Sequence, residues 1–165
     1  MESRQKSCCF TGHRNIPAQD VKLLESVLDD AVRARISQGY TVFCAGGAQG
    51  FDAMAAKTVI KYKNMVEKIQ LHLYLPCPDQ DKFWGRRAKA EYEKIKQAAD
   101  SIFYISQSYD RYCMMRRNRA MVDNSACCIG YCTGPSGGSA YTLNYALDKG
   151  LTVINLALIM QEKEG

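Results

Sequence analysis

Three glycine-bearing segments each stand between an apolar, strand-like run and a helical pattern. They are Thr11-Gly12-His13-Arg14, Gly46-Gly47-Ala48-Gln49-Gly50-Phe51-Asp52 and Gly134-Pro135-Ser136-Gly137-Gly138-Ser139. A chain that repeats strand, glycine loop and helix has few ways to fold. Right-handed crossovers lay its strands parallel in one sheet and gather the strand-to-helix loops along one edge. Helix N-termini at that edge present free N–H groups, and glycine lets a ligand approach the backbone. A tight turn accounts for any one such loop. Three together point to a shared site for a nucleotide-like ligand.

The rest of the pattern agrees. Strands are expected at 7–10, 41–45, 69–75, 101–105, 126–132 and 151–156, the third ended by Pro76-Cys77-Pro78. Between them, residues 17–38 repeat apolar side chains at helical spacing (Val21, Leu24, Val27, Leu28, Ala31, Val32, Ile36) and stop at Gly39. Further helices are expected at 51–63, 81–99 and 138–149, with a basic helical segment at 109–123. Such βαβ repetition predicts a doubly wound α/β domain, one mostly parallel sheet of about six strands flanked by helices. A single domain is expected over 1–165, its core at about 7–156.

Composition narrows the class without naming a partner. Of 165 residues, 47% are apolar and 24% charged, as in a globular protein, and the net charge of +5 suits a phosphorylated ligand without singling one out. The eight cysteines contain no Cys-x-x-Cys pair and stand beside only two histidines, His13 and His72, so no metal site is expected. Cys8-Cys9 and Cys127-Cys128 fall inside expected strands, where neighbours point to opposite faces and fill two core layers. Unpaired buried thiols suit a reducing, cytoplasmic setting. The run 151–160 is too short to span a bilayer, and no membrane partner is expected.

Several residues at the glycine edge carry chemistry. His13 and Arg14 end the first strand, offering a titratable donor and a fixed cation that could grip phosphate. Asp52 falls in the first turn of its helix, where the helix dipole favours a carboxylate; beside a phosphate it would instead meet ribose hydroxyls. Ser139 and Thr142 lie at a helix start, where capping and phosphate contact explain a hydroxyl equally well. Arg116, Arg117 and Arg119 cannot all point one way on a helix, so one or two at most enter a site. Trp84, next to Arg86 and Arg87, reads as core filler or as a base-stacking platform. No Gly-x-Gly-x-x-Gly follows the first strand, which disfavours a dinucleotide redox role, and the sequence shows no required cofactor.

These motifs resemble a known group. Cys9-Phe10-Thr11-Gly12-His13-Arg14, Gly50-Phe51-Asp52, Leu75-Pro76-Cys77, Arg117-Asn118-Arg119-Ala120-Met121-Val122-Asp123 and the Gly137 loop together look like the YpsA-like branch of the DprA/LOG superfamily. The resemblance implies a Rossmann-like fold whose loops bind a nucleotide or nucleotide derivative, and it singles out Arg117 and Asn118. In LOG phosphoribohydrolases the second glycine loop carries a catalytic glutamate. Here that stretch reads Gly137-Gly138-Ser139-Ala140-Tyr141-Thr142-Leu143-Asn144, without one. Asp52 or Asp123 would have to substitute.

The expected ligand contacts are Thr11, Gly12, His13, Arg14, Gly46, Gly47, Ala48, Gln49, Gly50, Asp52, Arg117, Asn118, Gly134, Gly137, Gly138, Ser139 and Thr142. The leading expectation is a sensor or regulatory protein holding an ADP-ribose-like small molecule. The alternatives are an N-glycosidase or phosphoribohydrolase of LOG type, with Asp52 and Arg117 as its catalytic pair, and DprA-like binding of single-stranded DNA. Self-association through the Tyr141-to-Tyr145 face stays open.

Overall fold

The structure, a computed structural model, describes residues 2–164; Met1 and Gly165, the ends of the expected domain, lie outside the described residues. A short α1 (Glu2–Gln5) precedes β1 (Ser7–Gly12), α2 (Val21–Ser37), β2 (Val42–Ala45), α3 (Phe51–Lys63) and β3 (Gln70–Leu75). Then follow α4 (Arg86–Ala98), β4 (Ser101–Tyr104), α5 (Cys113–Asp123), β5 (Cys127–Tyr131), α6 (Gly138–Asp148), β6 (Thr152–Asn155) and α7 (Leu156–Glu164). The strands form one parallel sheet in the order β4-β3-β2-β1-β5-β6. This is the expected Rossmann-like α/β fold. Among the described residues, no helix is long and apolar enough to cross a membrane.

Strand alternation sorts the core into two layers. On one face Cys8, Phe10, Phe43, Leu71, Leu73, Cys127 and Ile129 meet Leu24, Leu28 and Val32 of α2, Ala56 and Val59 of α3, Ile95 of α4 and Met160 of α7. On the other, Cys9, Val42, Cys44 and Cys128 meet Met121 and Val122 of α5 and Leu143 and Ala146 of α6. The adjacent cysteine pairs divide between the layers as strand alternation requires. All eight cysteines are buried and unbridged.

Three elements depart from the periodicity. The helix expected from residue 81 starts at Arg86, because turns closed by Lys82 N–H to Asp79 O (3.0 Å) and Trp84 N–H to Asp81 O (3.0 Å) come first. Within them Phe83 turns out to solvent, 90% exposed, while Trp84 folds in against Tyr92 at 5.1 Å. The basic helix begins at Cys113 rather than 109, because Asp110 accepts the Tyr112 N–H (2.9 Å) and holds a turn. The last expected strand is shortened and α7 follows it directly. Asn155 makes that switch, its Oδ1 accepting the Ala157 N–H at 3.2 Å in the manner of an N-cap.

Candidate functional site

The strand order reverses at β1: the chain steps from it to β2, β3 and β4 on one side, then returns to β5 and β6 on the other. In open α/β sheets, ligands settle beyond the strand C-termini at such a switch point. The loops after β1 and β5 flank it here, and the loop after β2 adjoins them. His13 ties all three together. Its N–H donates to Tyr131 O (3.3 Å), its carbonyl accepts the Phe51 N–H (3.1 Å), and its Nε2 accepts the Thr133 N–H (2.9 Å). Thr133 Oγ1 lies 3.1 Å from the same nitrogen, and the ring stands edge-on to Tyr131 at 5.4 Å. An accepting Nε2 leaves the proton on Nδ1, the tautomer this network selects.

The first two loops are packed from within. Phe51 packs edge-on to Phe10 and tilted against Tyr131, with ring centroids 6.4 and 6.1 Å away, and a Cβ on Gly12 would come within 2.4 Å of its ring. Gly50, at φ +80°, has its Cα against the loop after β1, so that a Cβ would fall 2.0 Å from Arg14 O. A Cβ on Gly47 would meet Leu75 at 2.4 Å. Thr11 is buried, Ala48 and Gln49 are half-buried, and Arg14 is exposed at the rim.

The third loop is different. Residues 133–138 are all exposed, and a Cβ on Gly134, Gly137 or Gly138 would meet nothing within 4 Å. Gly137, at φ +101°, is the N-cap of α6 and no side chain caps that end. Ser139, one of the residues for which capping was considered, therefore sits inside the first turn, buried. Thr142 is buried as well and donates to Gly138 O at 2.9 Å, fastening the start of the helix. The loop's other end is held by Asn155, whose Nδ2 donates to Cys132 O (2.9 Å) and whose Oδ1 accepts the Cys132 N–H (3.1 Å). Beside it opens a cleft of 460 Å³ lined by Cys132, Pro135, Leu143, Val153 and Leu158. A second groove, 760 Å³, runs between α2 and α3 past Lys22, Glu25, Asp29 and Lys57, and touches the loops only at Gly50. Its walls carry mixed charge, and it lies on the flank of the sheet rather than at the switch point.

Below the rim, Asp52 and Arg117 are buried on either side of Gly46, near enough for each charge to act on the other. Their exposures are 6% and 5%. Arg117 Nη1 donates to Gly46 O, and its Nε donates to Asn118 Oδ1 at 2.8 Å. A Cβ on Gly46 would sit 2.6 Å from Arg117 Nη1 and 2.8 Å from Asp52 Oδ2, so only glycine leaves room for both groups. Asp52 Oδ2 accepts a long bond from the Ala48 N–H (3.4 Å). Burial pushes the Asp52 carboxyl above its usual range, and the Arg117 charge and the Ala48 N–H only partly offset it. Burial likewise lowers Arg117 from its ordinary value, with Asp52 opposing; a guanidinium nonetheless stays charged near neutral pH.

The three arginines of α5 do diverge. Arg116 pairs with Asp110 (2.7 Å), Arg117 turns inward, and Arg119 donates to Tyr141 OH (2.8 Å). Asp123, considered as a substitute carboxylate, ends α5 near the start of β5, the opposite edge of the sheet, and accepts from Tyr145 OH at 2.8 Å. Sequence reasoning missed Thr133 and Asn155. Asn155 carried a readable signal, an Asn between an apolar strand and an apolar run, but that run was absorbed into a strand. Thr133 had none, because its role depends on a contact 120 residues away.

Comparison with known proteins agrees with this architecture. Residues 8–156 match the YpsA family (YspA SLOG family), and the chain belongs to it. Among curated relatives it is 29% identical over 117 residues to the uncharacterized SPbeta prophage-derived protein YoqJ of Bacillus subtilis, covering 63% of this chain and 68% of YoqJ. It is 26% identical over 129 residues to UPF0398 protein BH1768 of Halalkalibacterium halodurans, covering 76% and 68%. The DNA processing protein A (DprA) of Streptococcus pneumoniae superposes with a TM-score of 0.66 at 17% identity over 92% of this chain, which spans 50% of that protein's chain. DprA of Helicobacter pylori, described for its single-stranded DNA binding mode, gives 0.62 at 15% identity over 99% of this chain and 74% of its own. Those likenesses establish a shared fold.

Proposed function

We propose that the chain binds a nucleotide or nucleotide derivative of the ADP-ribose kind on the rim made by residues 12–14, 48–50 and 133–139, acting as a cytoplasmic sensor or regulatory protein. The observation that carries this reading is the contrast between the loops. Glycines of the first two are explained by the atoms packed on them, whereas Gly134 and Gly138 have open space where a side chain would go. That space lies at the uncapped start of α6, where unpaired N–H groups and the helix dipole suit a phosphate. Arg14 adds a cation, and the 460 Å³ cleft beside Gly134 is of a size that accepts a base. The burial of Asp52 and Arg117 supports binding over the hydrolase alternative, since neither reaches the rim.

The test is a thermal-shift screen with ADP-ribose, NAD, AMP and cyclic dinucleotides. A ligand at 100 times its dissociation constant adds about 2.7 kcal/mol, which for a chain of this size is a rise of about 5–11 °C. Gly134→Ala and Gly138→Ala keep the melting temperature of the free protein and lose the ligand shift. No shift with any of these ligands overturns the reading, and chromatography of the ligand afterwards separates a sensor (intact ligand) from a hydrolase (freed base or sugar phosphate). A second reading, single-stranded DNA, is favoured by the fold shared with DprA and by the exposed Arg86, Arg87 and Arg111. Its signature is retention on DNA that falls steeply with salt.

A further inference from the structure

At the opposite edge of the sheet from the rim, β1 and β5 bring two cysteines side by side. Cys8 and Cys127 are direct register partners on neighbouring strands, both on the face covered by α2 and α7. Adjacent strands lie about 4.8 Å apart, within the roughly 4.4–6.8 Å Cα separation that a disulfide accepts. Two further register pairs, Cys9 with Cys128 and Cys9 with Cys44, have the same spacing on the other face. Spacing alone therefore does not distinguish the pairs.

What distinguishes Cys8 and Cys127 is Arg35, in the last turn of α2. Its Nη1 donates to Cys127 Sγ at 3.9 Å, and its Nε is buried with no hydrogen-bond partner. A guanidinium so placed is balanced best by an anion, and the sulfur it touches is the one that can become it. The hydrogen bond from Cys8 outweighs burial and, with Arg35, lowers the Cys127 thiol to about 7, while burial raises Cys8 well above the ordinary thiol value. Tyr40, whose hydroxyl burial also raises, faces the same two sulfurs. Arg35 and Tyr40 are half-buried, whereas the two thiols are themselves fully covered. Cys44 and Cys128, with no cation beside them, are raised: Cys44 chiefly by burial, Cys128 by its bond to Cys9 and by burial.

We propose that Cys127 and Cys8 form a peroxide-oxidisable pair, with Cys127 the attacking thiolate, Arg35 its counter-ion and Cys8 the resolving thiol. In the first step Cys127 Sγ⁻ attacks one oxygen of hydrogen peroxide. The S–O bond forms, the O–O bond breaks, and the departing hydroxide takes a proton to become water. In the second, the Cys8 thiol loses its proton and attacks Cys127 Sγ, forming the S–S bond and expelling hydroxide, which that proton converts to water. Two thiols are oxidised, one peroxide is reduced, and two waters leave.

The experiment treats the folded protein with equimolar hydrogen peroxide at pH 7, alkylates the remaining thiols and maps the linked peptides by mass spectrometry. Fragmentation between Cys8 and Cys9, and between Cys127 and Cys128, assigns the sulfurs in the unmodified chain. A Cys8–Cys127 link with loss of two thiols per chain is expected, unchanged in Cys128→Ser and Cys9→Ser and absent in Cys127→Ser. Arg35→Gln, verified as folded by its melting curve, slows the reaction about tenfold as the thiol returns toward its ordinary pKa. Any of three results overturns the proposal: a link through Cys9, Cys44 or Cys128 instead, an unchanged rate in Arg35→Gln, or full retention of thiols in the folded chain. Mapping in the unmodified protein stands even if a cysteine variant fails to fold.

Discussion

Arg117→Met removes the guanidinium that closes the site from below. It strands the Gly46 carbonyl, the Asn118 amide oxygen and, above all, the Asp52 carboxylate, left with one 3.4 Å bond from the Ala48 N–H. Leaving a buried charge uncompensated costs about 3–5 kcal/mol, which for a chain of this size lowers the melting temperature by about 6–20 °C. The effect depends on pH, and the sign follows from linkage. Asp52 is already raised in the folded chain; without Arg117 it rises further, so the folded state holds a proton that the unfolded state has released. Stability then falls as pH rises through the window between the unfolded carboxyl value and the folded one. Arg117→Met should be least damaged near pH 4 and most damaged at pH 7 and above. Asp52→Asn in the same background removes the stranded charge and should recover about 1–3 kcal/mol relative to additivity. Urea unfolding followed by circular dichroism at pH 4.5 and 7.5, on both single variants and the double, measures all of this. A loss below about 1 kcal/mol, a loss independent of pH, or additivity within about 0.5 kcal/mol would refute the coupling.

Other substitutions test neighbouring parts of the structure. Gly12→Ala and Gly50→Ala should each destabilise by about 1–3 kcal/mol in chemical unfolding, because their new methyl groups collide with Phe51 and with Arg14 O, the latter at a positive φ. Asn155→Ala should cost about 1–3 kcal/mol and hasten amide exchange at Cys132 and Ala157, whose N–H groups it leaves unpaired. Asp100 is pushed up by burial, but bonds from Lys63 and the Leu71 N–H outweigh this and hold it below its usual range. Its contribution is therefore present above the unfolded carboxyl value and lost as pH falls through the folded one, so Asp100→Asn should flatten acid unfolding below pH 4. Because the group is part-exposed and screened, the effect should be on the order of 0.5–1 kcal/mol.

The parallel sheet and its loops were legible because glycine, strand formers and helical periodicity agreed at each turn. The α3 boundaries match the expectation at both ends, with Gly50 and Phe51 at the start and Lys63 at the end. The helix expected over 81–99 is present but starts late, at Arg86, for a physical reason: Phe83 and Trp84 continue the 3.6-residue pattern, but only one of them packs inward. Arg117 could not be told from Arg116 by composition. Its phase could have told it apart, since Cys113, Arg117 and Met121 recur every four residues and all are buried. What no local pattern contains is the distinction between packed and open glycines. Gly50 and Gly137 both have positive φ, yet one is against Arg14 and the other faces empty space. That difference is set by residues dozens of positions away.

The strand order also governs when the molecule can be finished. From β1 to β4 each new strand pairs with the one made just before it, so that half of the sheet can assemble as the chain emerges. Only β5 and β6 return to the far side of β1. Until they do, β1 carries a bare edge, Cys8 lacks its neighbour and His13 has no Thr133 to hold. Synthesis thus completes the rim last, and a chain interrupted before residue 127 would hold most of its core yet lack the β5 side of the switch point.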